Sequence, residues 1–126
     1  MAFGLRPIRS VSPMLEVIFY RDGRERLSRF FASGHVEIPE SSSDEYSLVC
    51  ASVSAVLQAA RAGLEDVAKI DTGAQMKSGH LDVTIPESGR DDRAVVAIVA
   101  TAEIAVEQIA RQYPQHVRVT RRRETG

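Results

Sequence analysis

Between Asp91 and Tyr113 the apolar residues recur on one helical face: Val95, Val99, Ala102, Val106, Ile109 and Tyr113. That spacing predicts a long amphipathic helix. Asp91 or Asp92 suits its positive end, and Pro114 stops it. A helix with one apolar stripe must bury that stripe against another layer, and this constrains everything else in the chain. A second stripe, Val49, Val53, Val56, Ala60 and Leu64, predicts another such helix beginning near Leu48. Ser47 is placed to cap it, and Gly63 weakens or ends its main run.

The layer that receives these helices reads as strands. "MLEVIFY" (14–20) and "RLSRFFASG" (26–34) flank Asp22-Gly23, the usual chemistry of a hairpin turn. "AQMKSGHLDVTIP" (74–86) reads as two short strands about Ser78-Gly79, and "HVRVT" (116–120) as a last strand. The expected order is ββαββαβ, a single α+β domain with two helices packed with a mixed β-sheet. Residues 1–13, with two prolines and no period, are expected to form a flexible N-terminal lead. The domain proper spans 14–120, and 121–126 is read as a basic C-terminal tail. Arg118 and Arg121 to Arg123 form a basic cluster, of the kind that is usually a solvated end. "VEIPESSSDEY" (36–46) is a polar, acidic connector.

Sixteen basic residues against seventeen acidic ones leave no global field for an acidic partner, so no direct nucleic-acid binding is expected. The single cysteine can form no internal disulfide, which fits a reducing, cytoplasmic compartment. The opening residues lack the apolar core of a secretory signal. No run of side chains reads as long and apolar enough for a bilayer, so no membrane association is expected. Cys50, His35, His80 and His116 have no zinc-ligand spacing, and Gly-rich phosphate loops are absent, so no metal or cofactor is expected.

Cys50 is then either a small packed hydrophobe or a reactive group. At about 100° per residue, the apolar stripe centres about 80–90° from Cys50, with Ser54, Leu57 and Arg61 within about 40° of it. The thiol therefore sits on the shoulder of the buried face. With Ser47 as the cap, Cys50 falls in the first turn, where open N–H groups favour a thiolate. The backbone N–H groups of Cys50 and Ala51 are then candidates for an oxyanion hole. His35 closes a strand after Gly34, and the connector can bring it to the helix start, where an imidazole can take the thiol proton. By itself His35 reads more plainly as a surface histidine at a strand end.

The residues Ser33-Gly34-His35, an acidic loop, then "LVCASVSAVLQAARAGLED" (48–66) closely resemble the ribosomal-processing cysteine protease family, Prp. The resemblance runs from Met14 to about Arg118 and includes "EQIARQYPQHVRV" (107–119). It implies a homodimeric bacterial cytosolic protease that removes the N-terminal extension of a large-subunit ribosomal protein, the one numbered twenty-seven. It implies cleavage beside a Phe-Phe-Ala run, with Cys50 as nucleophile, His35 as catalytic histidine and Ser54 as a supporting serine. The family commonly has aspartate where this chain has Ser47, so Asp44 or Glu45 stands in as a candidate to orient His35. Residues 36–46 are then a substrate-gated lid that contains both acids. The alternative class is a non-catalytic ribosome- or RNA-associated module with an inert thiol.

Overall fold

The computed structural model of the chain describes residues 14–34, 44–77 and 79–124. Strands β1 (Leu15–Arg21) and β2 (Leu27–Ser33) precede helix α1 (Asp44–Asp66). Strands β3 (Gln75–Lys77) and β4 (His80–Thr84), helix α2 (Arg93–Gln112) and strand β5 (Val117–Arg123) follow. The five strands form one sheet in the order β3-β4-β2-β1-β5. Strand β5 runs parallel to β1, and the other pairs are antiparallel. The ββαββαβ order, the mixed sheet and the single α+β domain are as the sequence predicts.

Alternation fixes which face is buried. Val17, Phe19, Phe30, Ala32, Leu81, Val83 and Val117 point into one core with the stripes of both helices. The register places Glu16, Ile18, Tyr20, Arg29, Phe31 and Thr120 on the opposite face. Asp92 caps α2, its carboxylate accepting from the Val95 N–H at 3.1 Å.

Four local expectations change. The β1–β2 turn is a five-residue loop in which Asp22 accepts from the N–H groups of Arg24 and Arg26. The left-handed position there falls on Glu25 (φ 65°), so it is the aspartate and not Gly23 that makes the turn. Helix α1 starts at Asp44, a turn earlier than the Ser47 cap implies, because Tyr46 (1% exposed) carries the buried stripe back beyond Val49. Asp44 and Glu45 in that first turn suit the helix dipole. Along the helix, Leu57 (1% exposed) occupies the stripe where Val56 was expected, and Val56 is half-buried.

The fourth change is at the C-terminus. Arg121 to Arg123 belong to β5 and pair with Phe19 to Arg21 of β1, so the basic run continues the sheet and is no free tail. Two acids of α2 make this possible: Arg121 binds Glu103 (2.7 Å) and Glu107. By length and composition alone α1 could cross a bilayer, with a mean hydropathy of 1.4 over its most apolar window. Alanines among its valines and leucines raise that figure, whereas Tyr46, Val49, Val53, Leu57, Ala60 and Leu64 pack into the core.

Candidate active site

Cys50 lies in the second turn of α1, half-buried, where the helix passes the ends of β2, β3 and β4. It opens onto a groove of about 240 Å³. Leu15, Ala32, Val53, Leu57 and Leu81 give the groove an apolar wall, and Ser54, Lys77 and His80 give it polar edges. Across one end, the Gln58 amide reaches the Met76 sulfur at 3.3 Å. Such a cleft suits an extended segment with bulky apolar side chains.

Beneath the thiol lies a polar array. Tyr46, one turn before Cys50 and on the same helix face, is buried and packs its ring against His116 at 5.5 Å between centroids. His116 Nε2 meets the Glu45 carboxylate at 2.9 Å, and the Gln115 amide donates to the same oxygen at 2.9 Å. Burial pushes the Cys50 thiol above its ordinary value, and a hydrogen bond from Tyr46 opposes that shift.

The earlier helix start changes the expected roles of several residues. Open N–H groups belong to the first turn of a helix, which here is 44–47. In the α-helical pattern the N–H groups of Cys50 and Ala51 point to carbonyls four residues back, so they are not available as oxyanion donors. The expected lowering of the thiol by the helix end gives way to burial for the same reason. Ala51 is exposed, and Ser47 is a half-buried residue inside the helix, no longer its cap. Asp44 and Glu45 also lie in α1 and not in a lid, with Glu45 directed at His116. Ser54 does line the groove beside Cys50. His35 and connector residues 36–43 lie outside the described residues.

The sequence reading missed two residues of note, one in the groove and one buried beneath the thiol. His80 lines the same groove as Cys50 and stacks on Phe31 at 6.0 Å. A signal for it exists: Ser78-Gly79-His80 repeats Ser33-Gly34-His35. Ser33 pairs with His80, and the Gly34 N–H donates to the Gly79 carbonyl at 3.0 Å, so the two glycines lie side by side at the groove's rim. Tyr46 is the other, hidden at sequence level because the helix was started after it. Among the described residues, no three His, Cys, Asp or Glu side chains are grouped to hold a metal ion.

A cysteine in the wall of an apolar, strand-edged groove, on two helices and a mixed sheet, is an arrangement suited to a thiol that acts on an extended peptide. The sequence model of the family described as cysteine protease Prp matches residues 14–118, and the chain belongs to that family of cysteine proteases. Solved structures share the fold. SMU.848 from Streptococcus mutans superposes with a TM-score of 0.78 at 20% identity, covering 88% of this chain and 96% of its own. The ribosomal processing protease Prp from S. aureus in complex with a substrate peptide gives 0.73 at 18% identity, covering 86% and 99%. The same S. aureus protein with a covalently linked product peptide gives 0.72 at 18% identity over the same shares. No curated protein matches the chain in sequence.

Proposed function

We propose that this protein is an endopeptidase that removes the N-terminal extension of a large-subunit ribosomal protein, the one numbered twenty-seven. Cys50 is the nucleophile and His35 the base. The observation that carries this reading is Cys50 opening onto an apolar groove able to take aromatic side chains. The S. aureus relative described as a ribosomal processing protease, with peptide bound or covalently linked, supports it.

In this scheme His35 takes the thiol proton and the Cys50 sulfur attacks the scissile carbonyl carbon. The C–N bond breaks as the imidazolium protonates the leaving amine, and water then hydrolyses the thioester to free acid and thiol. Ser54 lines the groove one turn on from the nucleophile, where its hydroxyl can face the substrate backbone. The oxyanion donors come from outside Cys50 and Ala51, whose N–H groups serve the helix.

The protein works in the cytoplasm, a reading that rests on its one unpaired thiol. It works as a homodimer, with the half-buried outer sheet face about Tyr20, Arg29 and Phe31 as the surface available to a second copy. A monomer mass by light scattering at micromolar concentration would remove the dimer from the proposal.

The test is cleavage of a peptide that spans an aromatic–small junction of such an extension. Wild-type protein should cut at that junction. Cys50→Ala should abolish cleavage with the fold intact, since alanine suits the helix. His35→Ala should lose several powers of ten, because base, acid and orientation go together. Near-normal turnover by either variant overturns the assignment.

A further inference from the structure

We propose that Tyr46 is a positioning residue for the nucleophile: its buried hydroxyl orients the Cys50 thiol and donates to the thiolate, while His116 and Glu45 hold the phenol in place. The inference rests on Cys50 being the nucleophile, and it names a group that neither the dyad nor the resemblance requires.

Three observations carry it. Tyr46 and Cys50 are four residues apart on α1, the spacing that stacks side chains on one face. Tyr46 is 1% exposed, so its hydroxyl meets protein groups and not bulk water. That hydroxyl also lies close to Gly34, 3.6 Å from where a β-carbon would stand, at the end of the strand that leads to His35. The phenol thus sits at the junction of the two chain segments that bear the dyad.

The support behind the phenol is equally specific. The His116 ring packs on Tyr46, and Glu45 bonds the far side of that imidazole. Glu45 was a candidate to orient His35, and the structure gives its carboxylate to His116 instead. A phenol held this way costs little to reorganise when the thiol ionises, and a donor aimed at an anion favours the anion. The hydrogen bond from Tyr46 indeed acts against the upward push of burial on Cys50.

The readout is the rate of alkylation by iodoacetamide against pH, which needs no substrate. Among the described residues, the charged or titratable groups facing the thiol besides Tyr46 are Lys77 and His80 across the groove, with Glu45 and His116 behind the phenol. His35 is present in every variant compared. Tyr46→Phe keeps the ring and its packing on His116. Its profile should move to higher pH by about one unit, leaving about tenfold less thiolate at neutral pH. At high pH, where both thiols are ionised, the rates should converge or favour the variant, because a more basic thiolate is the better nucleophile.

Rates depressed equally at every pH would mean general disorder of the site and would overturn the proposal, as would superimposable profiles. A thermal melt of Tyr46→Phe near wild type secures the comparison. If the wild-type protein alkylates as described yet fails to cut the extension peptide, the ribosomal-extension reading falls and the Tyr46 contact stands. If it cuts and Tyr46→Phe alkylates like wild type, the reverse holds.

Discussion

Ser47 shows how much one residue's role depends on where a helix begins. As the cap of a helix starting at Leu48 it would be replaceable only by another good cap. Inside a helix that starts at Asp44 it is the fourth helical residue, half-buried, and the dipole governs substitution there. A negative charge in the first turn gains about 0.3–1 kcal/mol. Ser47→Asp should therefore raise the melting temperature slightly, where at a cap the exchange of one good capping residue for another would leave it unchanged, and differential scanning calorimetry distinguishes the two. A fall in stability would mean that desolvation of the new carboxylate outweighs the dipole. The same shift of the helix start decides the surroundings of Cys50. It takes the thiol away from open N–H groups and places it above Tyr46, so that burial and a phenol govern its ionisation.

Helices and strands were legible because each has a local period. Alternation in β1, β2 and β4 and the Val95-to-Val106 stripe of α2 follow from the residues alone. The rotation of α1 was not legible, since Val56 and Leu57 are equally apolar neighbours and only the facing sheet chooses between them. It chooses Leu57, at 1% exposure. Leu57→Ala should accordingly cost about 2–5 kcal/mol and open the groove floor, whereas Val56→Ala should cost about 1 kcal/mol or less. Comparable losses in urea unfolding would restore the rotation predicted from sequence. The candidate site divides in the same way. His35, Cys50 and Ser54 could be picked out through a motif contiguous in sequence. The groove wall of Leu15, Met76 and Leu81 is gathered from separate strands, and no local pattern announces it. Strand β5 was cut short at Thr120 for a related reason: three arginines read as a tail until the α2 acids that neutralise Arg121 are in view.

At the scale of the whole molecule, Glu103 is the point where the first strand is tied to the last helix and the last strand of the chain. It sits on α2, 6% exposed, and takes a two-pronged bond from Arg21 at the end of β1, at 3.1 and 3.0 Å. Arg121 of β5 binds the same carboxylate at 2.7 Å. The parallel β1–β5 pair is thereby clamped to the helix that covers it, at the end of the sheet away from the Cys50 groove. Burial pushes the Glu103 carboxyl up, but the two guanidiniums outweigh it and hold the group below its ordinary value. A carboxylate depressed on folding adds stability at pH values above its unfolded pKa of about 4.3. That contribution is lost as pH falls through the lower folded value. Glu103→Gln keeps the shape and removes the charge, leaving two guanidiniums that remain partly open to water. Its cost at neutral pH should be about 1–2 kcal/mol, less than for a fully enclosed pair. The melting temperature should then fall by several degrees. The diagnostic feature is the pH dependence: the difference between wild type and variant should be constant from neutrality to about pH 5 and shrink steadily below about pH 4. A difference that persists undiminished into acid would assign the loss to packing of the amide and not to the charge that binds β1 and β5 to α2.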